Sequence, residues 1–132
     1  MFRKFVALLI VPLAFALTAC SGPAKVTPAD LKGSWTSAES NGTSFESTVG
    51  DNQIEINLVS SGSKALYWTG TFPLGADLAA DFTVTSVADT EALAGSILGS
   101  QDPTKVFTYS GGKLKFDFSA MGVTKTVELS KR

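Results

Sequence analysis

The chain has 132 residues, contains no histidine, and has a single cysteine, Cys20. Without histidine, neither a Ser-His nor a Cys-His nucleophilic pair can form. Zinc and copper sites built on imidazole, or on several thiolates, are excluded for the same reason. We therefore expect no catalytic residues, no metal site and no cofactor.

The carboxylates form no catalytic or ion-binding pattern either. Asp77 and Asp81 are the nearest spaced acidic pair, but they flank a predicted boundary between loop and strand. We expect them to be solvated there rather than to act as acid and base. Asp51-Asn52 lacks the spaced oxygen ligands and the closing glutamate of a calcium loop. No glycine-rich phosphate loop follows a strand and opens a helix. The sequence thus favours a protein that is not an enzyme.

A long apolar run is also missing. The apolar stretch Phe5 to Leu17 follows the basic pair Arg3-Lys4, and it is shorter than the roughly twenty residues that a membrane-spanning helix needs. Its length fits the apolar region of a secretory signal. It ends in Leu17-Thr18-Ala19-Cys20, which resembles the lipobox of bacterial lipoproteins. That resemblance implies cleavage between Ala19 and Cys20 and attachment of a diacylglyceryl group to Cys20.

A lipid on Cys20 implies a location outside the cytoplasm. Two acyl chains anchor a protein stably, whereas one binds only reversibly. The mature chain would then stay on the outer face of the cell membrane, or in the periplasm or at the outer membrane. The alternative is an ordinary signal peptide with a chance cysteine.

The predicted organisation has three parts. Residues 1–19 are the signal peptide, residues 20–29 are the lipidated cysteine and a proline-containing tether, and residues 30–132 are one β-barrel domain. Without the two basic residues of the signal, nine basic side chains face twelve acidic ones, a net charge of about −3 that lacks a basic stripe. We therefore expect no nucleic-acid partner, and we expect a monomer.

Beyond the tether, apolar residues recur with period two, which is typical of half-buried strands. Five such faces come first: Leu31, Gly33 and Trp35; Phe45 and Val49; Ile54, Ile56 and Leu58; Leu66, Trp68 and Phe72; Phe82 and Val84. Turn residues separate them. The segment Asp89 to Gly99 differs, because Asp89 suits an N-cap and Leu93 and Ile97 have helical spacing. It predicts a short helix after the fifth strand.

Two tight turns set the expected pairing in the last third of the chain. Gly111-Gly112 suits a two-residue hairpin, and Met121-Gly122 suits a second one. Together they predict these cross-strand pairs: Tyr109 with Leu114, Phe107 with Phe116, Lys105 with Phe118, Phe116 with Val127, Leu114 with Leu129, and Lys115 with Glu128. The total is eight strands with short connections. We therefore predict an all-β fold, an eight-stranded antiparallel up-and-down barrel with one short helix between strands five and six.

Gly33-Ser34-Trp35 on the first strand resembles the calycin superfamily, which includes the lipocalins and the fatty-acid-binding proteins. In that family the tryptophan closes one end of the barrel, and a basic residue of the last strand packs over it. Lys131 is in the matching position here, next to Arg132. The resemblance implies a lipocalin-like barrel closed by Gly33, Trp35 and Lys131. The alternative is that Trp35 is an ordinary core aromatic.

The predicted registers place Lys105 and Lys125 on the inward face, on either side of Phe118. We therefore expect these three residues at the barrel mouth, beneath the helix, where they could hold a small hydrophobic anion. Lysines at a rim also extend into water, and a small barrel can be filled by its own side chains. Three functions stay open: a surface-anchored interaction module that binds a surface protein, a lipocalin-like carrier, and a phage or prophage superinfection-exclusion lipoprotein.

Overall fold

The computed structural model describes residues 26–75, 78–120 and 122–132. Within these ranges, two helices and eight strands follow one another: α1 (Pro28–Leu31), β1 (Gly33–Ser37), β2 (Thr43–Val49), β3 (Gln53–Ser60), β4 (Ser63–Thr71), β5 (Phe82–Val87), α2 (Thr90–Ala94), β6 (Thr104–Ser110), β7 (Lys113–Ala120) and β8 (Val123–Lys131). The strands form one sheet in the order β4-β3-β2-β1-β8-β7-β6-β5. Every neighbouring pair in that order is antiparallel. This confirms the predicted fold class.

The sheet curls into a nearly closed barrel, with its seam between β4 and β5. Among the described residues, one β-bridge crosses this seam, between Gly70 of β4 and Ala88, which directly follows β5. A Cβ atom on Gly70 would lie 2.4 Å from the carbonyl oxygen of Val87. Only glycine therefore permits this close approach of the two strands.

The rest of the β4 edge is covered by α2 and the residues after it. The Ser96 hydroxyl donates to the Leu66 carbonyl, and the Ser100 amide donates to the Tyr67 carbonyl at 2.8 Å. These bonds replace part of a strand ladder. The helix therefore lies against the barrel wall, and no residue of α2 lines the cleft at the mouth.

The helix is shorter than predicted. The Asp89 side chain caps it by accepting from the Ala92 amide, as expected. However, α2 ends at Ala94 with Gly95 as its C-cap, so the range from Asp89 to Gly99 was too long. Ile97, which was expected on the buried face, is fully exposed. The early glycine stops the helix after little more than one turn.

The predicted hairpins are present. Gly111 and Gly112 both have positive φ, as a type I′ turn requires, and they pair Tyr109 with Leu114. In the second hairpin, Met121 lies outside the described residues. The β7–β8 register there agrees with the prediction for Leu114–Leu129, Lys115–Glu128 and Phe116–Val127.

The β6–β7 ladder is shorter than predicted. It pairs only Thr108–Lys115, Tyr109–Leu114 and Ser110–Lys113. The expected pairs of Phe107 with Phe116 and of Lys105 with Phe118 are therefore wrong as ladder pairs. The Phe107 and Phe116 rings still contact each other, with centroids 5.7 Å apart.

A β-bulge in β4 changes which side chains face inward. The β3–β4 register shifts between Ile56 and Asn57, whose partners are Trp68 and Leu66. Tyr67 is the extra residue, so it and Trp68 are both buried. The prediction had placed Leu66 inward by strict alternation and had omitted Tyr67.

The start of the domain also differs from expectation. Leu31 was predicted on the first strand but belongs to α1, where it is fully buried. Val26 is buried and bridges Leu78, and α1 begins at Pro28, although both residues were assigned to the tether. The earlier tether residues and the signal peptide lie outside the described residues.

Candidate functional site

The two ends of the barrel are built differently, and the first is closed around Trp35. Its indole Nε1 donates to the Leu31 carbonyl at 2.8 Å, and the ring is almost fully buried. Trp35 pairs with Lys131 across β1 and β8, and the Lys131 ammonium donates to the Asp30 carbonyl at 2.7 Å. Gly33 lies beside the Lys131 stem: a Cβ on Gly33 would be 3.5 Å from Lys131 Cε. The structure therefore brings Gly33, Trp35 and Lys131 together, with α1 across this end.

A capping box keeps α1 in place. The Asp30 carboxylate accepts from the Thr27 amide and the Thr27 hydroxyl, both at 2.9 Å. These bonds, led by the one from the backbone amide, lower the pKa of Asp30 from its ordinary value. The ionised carboxylate is therefore the form that holds the first turn.

The opposite end is open because β1 stops early. β1 pairs with β2 only up to Thr36–Glu46, and with β8 only up to Ser37–Leu129. The chain then leaves the sheet: Ser37 Oγ takes the place of a ladder carbonyl by accepting from the Phe45 amide at 2.8 Å. A tight turn at Asn41-Gly42, both with positive φ, leads into β2. Beyond Ser37 the chain no longer pairs with β8.

A cleft of about 560 Å³ lies at this end of the barrel. That volume lies within the range typical of small-molecule sites, about 300–1,000 Å³. Its lining comes from the β1–β2 connection, β2, β3 and the β7–β8 hairpin: Ser37, Ala38, Glu39, Ser40, Asn41, Thr43, Phe45, Leu58, Phe118, Lys125, Thr126, Val127 and Glu128. The candidate site is therefore formed by segments far apart in sequence.

The floor of the cleft is apolar and aromatic. The Phe45 and Phe118 rings meet edge to face with centroids 5.2 Å apart, and Tyr67 contacts Phe118 from behind at 5.1 Å. Leu58 and Phe118 are half-buried. Edge-to-face contact is a favourable arrangement of aromatic rings, and the floor is an apolar surface that solvent reaches.

The rim of the cleft is polar and carries charges of both signs. Lys125 is exposed, and its ammonium donates to Ser40 Oγ across the cleft at 3.4 Å. Glu39 lies on the β1–β2 connection. Glu128 forms an ion pair with Lys115 at 3.3 Å. The lining thus combines Lys125 with Glu39 and with Glu128, whose charge Lys115 already pairs, so the rim is not a dedicated anion-binding surface.

Lys125 and Phe118 are where the sequence predicted them, paired across β7 and β8 and lining the cleft. Lys105 is not, which corrects the predicted mouth. Only 7% of Lys105 is exposed. Its ammonium donates to the Asp117 carbonyl at 3.2 Å and lies 5.1 Å from the centre of the Tyr67 ring.

The bulge in β4 explains the position of Lys105. Its ammonium also lies 5.3 Å from the Trp68 ring and 3.6 Å from the Asp102 carboxylate. Two adjacent aromatic rings can both face it only because Tyr67 is an inserted residue. The sequence signal was Tyr67-Trp68 itself, since two large aromatics in a row break strict alternation.

The outer wall near the cleft carries paired charges. The Glu46 carboxylate contacts Lys64 at 2.5 Å and Arg132 at 3.1 Å. The hydrogen bond from Lys64 is the main cause that lowers the pKa of Glu46. These groups satisfy one another, so they offer no free charge to a partner.

The barrel interior is occupied by side chains. The core contains the following buried residues: Val26, Leu31, Trp35, Phe45, Val49, Ile54, Ile56, Tyr67, Trp68, Phe72, Val84, Leu93, Phe107, Leu114, Phe116, Val127 and Leu129. Between residues 26 and 132, apart from the undescribed positions, no group of three histidine, cysteine or acidic side chains could hold a metal ion. In the same ranges, no helix combines the length and the apolar character needed to span a bilayer.

Two other predicted features lie partly or wholly outside the described residues. Ala19 and Cys20, the predicted cleavage and lipidation residues, are both outside them, and so is Asp77 of the carboxylate pair. Comparison with protein-family models, with curated proteins and with solved structures gives no match.

Proposed function

We propose that this chain is a membrane-anchored surface lipoprotein that acts as a non-catalytic binding module, with the open-end cleft as its binding surface. The observation that carries the proposal is the cleft of about 560 Å³ over the Phe45–Phe118 floor. A solvent-reachable aromatic floor with a hydrogen-bonding rim is the usual composition of a binding site.

The relation of the cleft to the anchor supports this function. Val26 packs at the Trp35 end through its bridge to Leu78, whereas the cleft is at the opposite end of β1. A lipid on Cys20, only a few residues before Val26, would hold the Trp35 end towards the membrane. The cleft would then face away from the bilayer and be accessible to a partner.

A lipocalin-like carrier of a small hydrophobic anion is the second candidate. Lys125 above Phe118 favours it, because an ammonium beside an apolar floor suits a carboxylate on an apolar body. The occupied interior limits such a ligand to the cleft. Glu39 of the lining opposes an anion, so we favour the interaction module.

Anchoring is tested by labelling cells that express the chain with radioactive palmitate. We expect label on the wild-type chain and none on Cys20→Ser. Label on both variants, or on neither, would contradict the lipidation of Cys20.

The binding surface is tested on intact cells by placing a photo-cross-linking phenylalanine analogue at Glu39, which is exposed and lines the cleft. The matched control carries the same analogue at Thr83, which is exposed on the β5 wall. We expect a discrete adduct from position 39 alone. Equal adducts from both positions, or none from position 39, would count against the cleft as a binding surface.

A further inference from the structure

The rim of the cleft contains neutral polar side chains as well as charges. Ser40, Asn41 and Thr43 line it together with Glu39 and Lys125. Asn41 is exposed and Thr43 is half-buried, and neither side chain has a hydrogen-bond partner among the described residues. Within the same ranges, neither Glu39 nor Lys125 takes part in an ion pair. The rim therefore keeps hydrogen-bonding groups that another molecule can use.

The other polar groups of the lining are already engaged. The Ser37 hydroxyl accepts from a backbone amide of β2 at 2.8 Å. The Thr126 hydroxyl donates to the Asp117 carboxylate at 2.9 Å, and Glu128 forms an ion pair with Lys115 at 3.3 Å. The side chains that a ligand can use are therefore those of the rim residues 39–41, 43 and 125.

These free groups include both donors and acceptors. The Asn41 amide offers N–H donors and a carbonyl oxygen, and the Thr43 hydroxyl both donates and accepts. Lys125 only donates, whereas Glu39 only accepts. A carboxylate ligand accepts only and an ammonium ligand donates only, so either would leave part of the rim unpaired. A ligand that is rich in hydroxyl groups satisfies both kinds of partner.

The apolar floor adds a second requirement. The Phe45 and Phe118 rings, with centroids 5.2 Å apart, form this floor together with Leu58. Thr43 precedes Phe45 by two residues on β2, so the two side chains share one face of the strand. On β8, Lys125 pairs with Phe118. Polar groups thus stand beside the floor, and a ligand that fits has an apolar face with a polar edge.

A pyranose ring has this construction. In a sugar whose hydroxyl groups are all equatorial, the axial C–H groups form an apolar face and the hydroxyls surround it. Such a face can cover an aromatic ring while the hydroxyls bond to polar side chains. The cleft volume of about 560 Å³ is within the range for drug-sized ligands, a size class that includes disaccharides.

We propose that the cleft binds a neutral glycan of the gluco configuration, with one sugar face on Phe118 and hydroxyl groups bonded to Asn41 and Thr43. This proposal names the ligand class of the binding module and rests on the proposed function. Glu39 and Lys125 are one free charge of each sign, so the cleft complements a ligand without net charge. A protein anchored at the cell surface also meets the glycans of the envelope.

NMR titration of the isotope-labelled chain tests the proposal. The probes are cellobiose and N,N′-diacetylchitobiose, each added through the millimolar range, because each hydrogen bond exchanged with water adds little net affinity. We expect saturable shifts at Asn41, Thr43 and Phe118. Sorbitol is the control, since it has hydroxyl groups but no ring face, and it should cause no saturable shift. No saturation with either disaccharide, or equal saturation with sorbitol, would overturn the proposal.

Two asparagines in equivalent backbone conformations provide a matched pair of variants. Asn41 and Asn52 both occupy turns with positive φ, 54° and 57°, and both are exposed. Glycine adopts this conformation readily, so Asn41→Gly and Asn52→Gly each remove an amide and keep the turn. We expect Asn41→Gly to weaken disaccharide binding by about fivefold and Asn52→Gly by less than about twofold. Equal effects would contradict a bond to Asn41.

The floor is tested with a second matched pair. Phe118 and Phe82 are both half-buried, but Phe82 stacks on Tyr109 and does not line the cleft. Replacement by leucine keeps an apolar side chain and removes the ring. We expect Phe118→Leu to weaken disaccharide binding by about fivefold and Phe82→Leu by less than about twofold, with urea unfolding to verify that both variants fold. Equal losses would mean that the sugar does not contact Phe118.

The charge of the ligand is tested through salt and Lys125. Binding of a neutral disaccharide should change by less than about twofold between low and high salt. Lys125→Gln keeps an N–H donor and should also change it by about twofold or less. Octanoate is the anionic probe. If octanoate binds more tightly than both disaccharides and Lys125→Gln abolishes that binding, the ligand is a hydrophobic anion and the proposal is overturned.

The cross-linker at Glu39 separates this proposal from the function on which it rests. The excited analogue inserts into C–H bonds, so we expect an adduct whose mobility changes after digestion with glycan hydrolases. A discrete protein adduct, together with no binding of either disaccharide, would overturn the glycan proposal and leave the binding module in place with a protein partner. Absence of any adduct at position 39, glycan or protein, counts against the proposed function itself.

Discussion

The Trp35 end and the cleft end of the barrel use their polar groups in opposite ways. At the Trp35 end, Leu31 and Asp30 each give a backbone carbonyl to a side chain of β1 or β8, with donor–acceptor distances of 2.8 and 2.7 Å. At the cleft end, the cross-cleft contact of Lys125 is 3.4 Å long and exposed. The first end is closed by internal bonds, whereas the second leaves groups available for another molecule.

This difference follows from where the first strand lies relative to its neighbours. The register of β1 and β2 pairs Gly33, the first residue of β1, with Val49, the last residue of β2. α1 directly precedes Gly33 and therefore lies across the Trp35 end. At the other end β2 and β8 extend past Ser37. A strand that is shorter than both its neighbours produces one closed end and one open end.

The largest expected effect is on the closed end. Trp35→Ala should lower the free energy of unfolding by about 3–5 kcal/mol, because it removes a buried indole and leaves a cavity. Trp35→Phe keeps most of the ring and should cost about 1–3 kcal/mol through the lost bond to the Leu31 carbonyl. Phe118→Ala, on the half-buried cleft floor, should cost about 1–2 kcal/mol. Urea unfolding measures all three, and equal losses for Trp35→Ala and Phe118→Ala would contradict the comparison.

Lys105 and Lys125, which the sequence predicted at the same barrel mouth, should contribute differently to the free energy of unfolding. Lys105→Ala removes a buried stem, the bond to the Asp117 carbonyl and contacts with two aromatic rings, and should cost about 2–3 kcal/mol. Lys125→Ala should stay within about 0.5 kcal/mol, as exposed substitutions usually do. Denaturant midpoints with unchanged slopes provide the measurement. A similar loss for both would mean that Lys105 is not held as described.

The smallest expected effect is on the pH dependence of stability. The pKa of Asp30 is lowered, chiefly by the Thr27 backbone amide, so its stabilising contribution is fully present above its ordinary value of 3.8 and is lost as the pH falls through the lower folded-state pKa. The stability difference between wild type and Asp30→Ala should therefore shrink below pH 3.8. Asp51→Ala is the control, because the pKa of Asp51 is lowered by the exposed Lys32. Added salt should weaken the Asp51 effect and leave most of the Asp30 effect; the reverse pattern would refute this assignment.

Most of the strands could be predicted from the sequence because their signals are local. Period-two alternation and paired turn glycines need only a few consecutive residues, and two hairpin turns sufficed for the β7–β8 register. The helix between strands five and six was predicted from its N-cap for the same reason. Its length was not, because Gly95 ends the helix inside a pattern that continues to Ile97.

The candidate site was predicted only in part. The pairing of Phe118 with Lys125 depends on one hairpin, so their position could be predicted by counting residues from its turn. The prediction for Lys105 was wrong because it assumed a regular β4 and a β6–β7 ladder of full length. The bulge at Tyr67 redirects two rings towards that lysine, and a bulge depends on packing between strands rather than on the residues beside it.

The sequence alone was sufficient for the strands, their turns and the absence of histidine chemistry, since each depends on composition or on neighbouring residues. Tertiary structure decided that β1 stops at Ser37 while β2 and β8 continue, and that α2 covers the β4 edge instead of the mouth. Both depend on the stagger of strands around a curled sheet, which accumulates over all eight strands and is not encoded in any one segment.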